Sequence, residues 1–362
     1  MYKRQAHATV DLDDTEGLLE ADRDGLLRAS ALAGAQVRAT AAAIDEGALD
    51  SVTGGQRPRT VIWISGRGAA EAAGTMLSAA LAASAGEPFV TAAESPPWIG
   101  PLDVLVAAGD DPGDPVLVTA AATAVRRGAR VVVAAPYEGP LRDATAGRAA
   151  VLEPRMPVPE DFGLCRYLAA GLATLQAVDP ASRTDLSDLA DELDAEALRN
   201  SAGRELFTNP AKALAERLSG RQAVLAGDCP ATLALARHGA AVLLRVAGRP
   251  VAAASLADAL VSLRIGAGMS TGFTDPVEAL FHDEEIDGPL PTRTRVLAFA
   301  LAAERQVLAA RVAGFDDLDL VGVEDVGDAG SLPLSGGRTE LQLATLALRL
   351  EMASVYLRLA GG

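Results

Sequence analysis

The sequence predicts an α/β protein built from two tandem parallel-sheet units, and three observations predict it. Continuous apolar, β-branched strands alternate with Ala-rich helical segments, the pattern of a sheet covered on both faces. Glycine-containing turns sit at strand-to-helix junctions, first in RTVIWISGRGAAEAAGTML (residues 59–77) and again in VAAGDDPGDPVLVTAAA (residues 106–122). The chain has 362 residues, 49% of them hydrophobic and only 4% aromatic. That length suits two domains of ~100–200 residues, with cores made mainly of Ala, Val and Leu.

Residues 13–51 read as one or two helices, with Leu18, Leu19, Leu26, Leu27 and Leu32 at helical spacing. A Gly/Pro-containing linker, 53–58, leads into the first unit. Strands read at 60–64, 102–107, 130–135 and 149–152, and helices at 69–84, 115–127 and 162–177. An acidic stretch, 179–194, has the composition of a solvated linking helix. The second unit repeats the pattern more loosely: helix 209–218, strand 222–226, the turn Gly227-Asp228-Cys229-Pro230 and helix 231–246. Pro230 suits a first helical turn. Strands follow at 251–254, 295–300 and 318–321, and a long helix at 339–359 closes the chain. The expected organisation is an N-terminal helical segment (1–58), a first unit (59–178), a linking helix (179–207) and a second unit with the closing helix (208–362).

The net charge of -16 and pI near 4.7 argue against nucleic acid or an anionic membrane as partner. Cys165 and Cys229 are far apart and fit a reducing cytoplasm. Cys165 reads as a buried structural thiol. Cys229 stands at a strand-to-helix turn, where a helix N-terminus lowers a thiol pKa. The segment MYKRQAHATVDLDD lacks an apolar leader core, and no long uncharged apolar run follows, so a secreted or membrane-spanning chain is not expected.

Ser65-Gly66-Arg67-Gly68 follows a strand and opens a helix, an arrangement whose N–H groups can hold an anion. A dinucleotide fingerprint would need glycine at position 71, which is Glu71, so no nicotinamide or flavin cofactor is expected. A tight turn with no ligand is the plain alternative. The corresponding loop of the next strand, Gly109-Asp110-Asp111-Pro112-Gly113-Asp114, is acidic. A carboxylate about 4 Å from a phosphate oxygen repels it by ~4 kcal/mol at an effective dielectric of about 20. A helix end offers only about half a positive charge in return. The aspartates read as turn chemistry, as oxygen ligands for Mg²⁺, or as a loop that prefers an amine or a hydroxylated neutral sugar to a phosphate.

Together these features resemble the SIS (sugar isomerase) family. The order of landmarks is most similar to its bifunctional phosphoglucose/phosphomannose isomerase branch and, within that, to TobH-type proteins. The landmarks are ISGRGAAEAAG (64–74), TNPAKALAERLSGR (208–221), FHDEEIDG (281–288) and the terminal LALRLEMASVYLRLAGG. The resemblance implies two SIS subdomains, a homodimer, and a sugar or sugar-phosphate site near the subunit interface. No resident metal or cofactor is implied. By position, Ser65, Gly66, Arg67, Gly68, Gly109, Asp110 and Asp111 are the implied substrate-binding residues. His282 matches the family's ring-opening histidine, and Glu284 or Glu285 beside it can supply a base. A polar loop with a capping histidine is the bland alternative there.

The departures bear on chemistry. The family's phosphate loop, Ser-x-Ser-Gly-x-Thr-x-Glu, keeps only Gly109. Its catalytic glutamate is missing, since no Glu occurs between Glu216 and Glu278. Arg245 or Leu244 falls near that place, and arginine does not accept protons. The terminal lysine has no counterpart, because Lys3 and Lys212 both lie far off in sequence. His238 reads as structural or exposed, and His7 lies in a tail. Three functions remain open: an isomerase on a hexose phosphate, a binding or regulatory protein without turnover, and a scaffold dimer with vestigial pockets.

Overall fold

The computed structural model describes residues 10–82, 84–179, 185–220, 222–270, 294–324 and 338–361. Three short helices come first, α1 (Thr15–Ala21), α2 (Leu26–Ser30) and α3 (Ala33–Asp45). The sequence leaves one or two helices open here. Gly25, at φ +67°, breaks the run with a left-handed residue that starts α2. The first unit then runs β1 (Thr60–Ser65), α4 (Ala69–Leu81), β2 (Phe89–Ala92), β3 (Asp103–Ala108), α5 (Pro115–Arg126), β4 (Arg130–Ala134), α6 (Gly139–Thr145), β5 (Ala149–Val151) and α7 (Leu164–Val178). The second follows as α8 (Leu186–Arg199), α9 (Pro210–Leu218), β6 (Gln222–Gly227), α10 (Pro230–Ala247), β7 (Ala252–Ser255), α11 (Leu256–Ser270), β8 (Thr294–Phe299), α12 (Arg305–Val312), β9 (Leu318–Val321) and α13 (Thr339–Gly361).

Two separate sheets form, ordered β2-β1-β3-β4-β5 and β7-β6-β8-β9. Every pairing in both is parallel. The sequence passes over β2, α6, α11 and α12. β2 is a four-residue edge strand, half-exposed, and so lacks the buried apolar run that marks its neighbours.

Helices α5 and α6 cover one face of the first sheet through Ile62, Ile64, Leu105 and Val133. Helices α11 and α12 flank the outer face of the second, where Val296 and Ala298 are buried. Between the sheets lies a shared helical layer in which α4 packs on α10, and α10 on α13. A single apolar cluster runs from Val61 and Trp63 through this layer to Leu225 and Leu297. Helix α8 belongs to the layer too. Its acidic composition suggests solvation, yet Leu186, Leu189, Ala190, Leu193 and Glu196 are buried, and the helix packs against α3 and α13. The charges hide a regular apolar stripe that a composition argument averages away. Among the described residues, no helix is long and apolar enough to cross a membrane.

Close helix-to-sheet packing in the first unit depends on Trp63. Its indole N–H donates to the Ala70 carbonyl at 3.0 Å, satisfying a fully buried donor. Helix α4 passes so near that a Cβ on Gly74 would lie 2.3 Å from Trp63 Cδ1. Gly74→Ala is therefore expected to destabilise the fold by about 1–3 kcal/mol through overpacking. A urea titration checks it, and an unchanged midpoint counts against this packing.

Candidate functional site

In open parallel sheets, ligands lodge beyond the carboxyl ends of the strands where the winding reverses. In the first sheet that point lies between β1 and β3, since β2 is on one side and β4 and β5 on the other. Ser65 pairs in register with Ala108. The turns at 65–68 and 109–114 therefore leave the sheet side by side, at the place the sequence marks by its two glycine turns.

Gly68 adopts φ +69° and ψ −136° and precedes α4 without a side-chain cap. Residues with a Cβ rarely reach that conformation. The first N–H groups of α4 consequently have no side-chain acceptor from the cap position. Gly66 faces the neighbouring loop, where a Cβ on it would lie 2.2 Å from Asp114 Oδ2. A carboxylate of the protein itself thus occupies the ground between the two turns. Arg67 is exposed and has no hydrogen bond or ion pair among the described residues.

The acidic loop resolves into three different roles. Asp114 caps α5, with Oδ1 accepting from the Val116 N–H at 2.8 Å. Asp111 Oδ1 accepts from the Gly113 N–H at 2.8 Å, closing a turn on itself. These two follow turn chemistry. Asp110 does not: its Oδ1 accepts from Arg166 Nη2 at 2.7 Å. Among the described residues no group of three or more His, Cys, Asp and Glu is arranged to hold a metal ion.

Arg166 is the residue that sequence reasoning missed. It sits in the first turn of α7, 9% exposed, with its guanidinium stacked 4.1 Å from the Tyr167 ring centroid. Its Nη1 is buried and without a hydrogen-bond partner, and so is the Tyr167 hydroxyl. That hydroxyl lies beside Asp110 and Arg166, and both act on its pKa. Burial dominates and pushes the phenol pKa up, so Tyr167 keeps its proton. Unpaired buried donors are uncommon and call for an explanation such as a ligand. The available signal was an arginine inside the apolar run LCRYLAAGLATL, since arginine is seldom buried without a task.

His282, Glu284 and Glu285 lie outside the described residues. A cleft of about 200 Å³ opens elsewhere, lined by Arg57, Glu87 and Asp179. It lies by the amino ends of β1 and β2, the edge that α/β folds do not use for ligands. Arg57 already bridges both carboxylates there, at 3.1 Å each.

The architecture is the α/β fold of sugar isomerase (SIS) proteins, with two parallel sheets flanked by helices. The chain is similar in structure to tagatose-6-phosphate ketose/aldose isomerase from Escherichia coli, with TM-score 0.57, 16% identity and coverage of 98% of this chain and 95% of that one. It is also similar to a glucose-6-phosphate isomerase like protein from Thermus thermophilus, with TM-score 0.53, 20% identity and coverage of 98% and 94%. The C-terminal domain of glucosamine-fructose-6-phosphate aminotransferase from Francisella tularensis matches with TM-score 0.54, 10% identity and coverage of 95% and 96%. No protein-family model matches the chain, and no curated protein does.

Four further residues, Lys212, Cys165, Cys229 and His238, are buried or partly buried, three of them with partners of their own. Lys212, remote from the closing helix in sequence, lies against it in space, with Nζ 5.6 Å from the Tyr356 ring centroid. Its ammonium donates to the carbonyls of Ala202 at 2.8 Å and Arg204 at 2.7 Å, and burial lowers its pKa. Cys165 is buried and burial raises its pKa, which keeps it a thiol. Cys229 is half-buried, its Sγ 3.3 Å from Thr232 Oγ1 at the start of α10. His238 is buried, with Nε2 3.0 Å from Glu351 Oε1 on α13. Burial raises the Glu351 pKa, with the His238 bond opposing. A carboxyl whose folded pKa is raised holds a proton that the unfolded chain has released. Its contribution is complete below the unfolded carboxylate pKa and is lost as pH rises through the folded value. Glu351→Gln, which cannot ionise, should lose less stability than wild type as pH rises through that window. Urea midpoints across the pH series check this, and parallel slopes overturn it.

Proposed function

We propose that this chain is a sugar-phosphate-isomerase-like protein that binds a carbohydrate derivative in the crevice beyond β1 and β3. The observation that carries the reading is the meeting of two glycine turns at the winding reversal, with Arg166 and its spare donor behind them. Ser65, Gly66, Arg67, Gly68, Gly109, Asp110 and Asp111 line the binding loops, and the first (59–178) and second (208–362) units each contribute to the fold that frames them. The finer kinship is with the phosphoglucose/phosphomannose isomerase branch, and the working form is a cytoplasmic homodimer. His282 assists ring opening, with Glu284 or Glu285 as base, in whatever aldose–ketose chemistry the chain performs.

Binding without turnover is the second reading, and a specific observation favours it. Isomerisation needs a base within reach of the proton at C2 and near neutral pKa. No glutamate lies between Glu216 and Glu278. Glu351, which meets the helix where the family base is expected, is 1% exposed and bonded to His238. Lys212 is likewise committed to two carbonyls.

The test uses a panel of hexoses, amino sugars and hexose 6-phosphates. A ligand that favours the folded state raises the melting temperature, so at least one member is expected to raise it. If none does, the binding reading falls. Incubation with fructose 6-phosphate, followed by assay of glucose 6-phosphate and mannose 6-phosphate, separates the two readings. Turnover abolished by His282→Ala establishes catalysis. Stabilisation without turnover establishes binding alone.

A further inference from the structure

The charge arrangement in the crevice points to the class of sugar it takes. Around the β1–β3 carboxyl edge stand three carboxylates, Asp110, Asp111 and Asp114, and two guanidiniums, Arg67 and Arg166. Arg166 is the buried cation of the group, and Asp110 already neutralises it at 2.7 Å. Asp110 is the more accessible of the pair, with 27% of its side chain exposed against 10% for Arg166. Arg166 Nη1 and the Tyr167 hydroxyl are buried and without a hydrogen-bond partner.

An ionised carboxylate only accepts hydrogen bonds, and a phosphate dianion does the same near neutral pH. A phosphomonoester entering here meets Asp110 acceptor to acceptor and must break its ion pair to reach the guanidinium. The Asp114 carboxylate, seated against Gly66, adds repulsion at the second turn. A sugar hydroxyl has no such conflict. It donates to the partly exposed Asp110 carboxylate and leaves the ion pair with Arg166 in place.

We propose that Asp110 is a specificity-determining residue, whose ion pair with Arg166 closes this subsite to phosphate dianions and selects a sugar bearing no anionic group there. The inference rests on the carbohydrate-binding reading above and narrows its ligand class. It assigns Asp110 a role independent of any turnover.

Calorimetric titration of the full chain with glucose and glucose 6-phosphate tests it. The wild-type chain is expected to bind glucose more tightly than glucose 6-phosphate. Asp110→Asn keeps the side-chain shape and removes the charge. It should tighten glucose 6-phosphate by about tenfold or more, because like-charge juxtaposition at a contact is costly. Asp110→Ser, smaller and also neutral, should show the same gain. Adding Arg166→Met to either variant should abolish it, and melting curves confirm that each variant is folded. A wild-type preference for glucose 6-phosphate, or a gain below tenfold in both folded variants, overturns the proposal while the binding reading stands. Absence of binding by any sugar of the panel, to wild type or variant, removes the binding reading and this inference together.

Discussion

The closing helix α13 carries charge through the middle of the molecule, and the arrangement of both sheets depends on how that charge is matched. Arg349 is 1% exposed. Its Nε meets Glu196 Oε1 of α8 at 2.7 Å, and its remaining nitrogens donate to the carbonyls of Gly322 at 2.8 Å and Val323 at 3.0 Å. One guanidinium therefore fixes α8 and the end of β9 against α13 at once. Burial alone would raise the Glu196 pKa, but the guanidinium outweighs it and the net shift is downward. A shift along α13 would separate these groups from their partners, so its register is set by charge as well as by packing. Losing one member of a pair like this strands a buried charge and costs roughly 3–5 kcal/mol.

Glu351, two residues on, shows the opposite outcome from the same burial. Its partner is an imidazole rather than a guanidinium, and its pKa rises. The two glutamates lie in one helical layer and differ in what faces them. That layer positions the crevice. Helix α4 packs on α10, and α10 holds its own end at β6 so tightly that a Cβ on Gly227 would lie 2.2 Å from the Leu233 nitrogen. Each sheet thus begins a helix at a glycine turn, and the shared layer locks both helices. A crevice flanked by rigid elements keeps its geometry better than one made of loops alone.

The central strands were legible in the chain because buried parallel strands read as unbroken apolar runs. Val104, Leu105 and Val106 announce β3 as plainly as Val131, Val132 and Val133 announce β4. The edge strand β2 escaped because its residues face solvent in part. The two turns were legible from Gly66, Gly68 and Gly109, since glycine marks close approach. What the chain hid was pairing at a distance. Asp110 and Arg166 are separated by 56 positions, and His238 and Glu351 by 113. No local pattern connects them: of the loop's aspartates, Asp111 and Asp114 follow the turn chemistry the sequence offers, while the ion pair of Asp110 was hidden. Lys212 misled in the same way, distant from α13 in sequence and packed beside it in the fold.

The acidic loop after β3 and Arg166 of α7 form one unit. A carboxylate at Asp110 would leave a repulsive loop if nothing answered it. The arginine answers it, but a single bond between them leaves one guanidinium nitrogen and the neighbouring phenol unmet. Full satisfaction within the protein would have produced an inert strut, as it does for Lys212 with its two carbonyls. The unmet donors cost the folded protein stability, a loss that the fully met Lys212 ammonium does not cause.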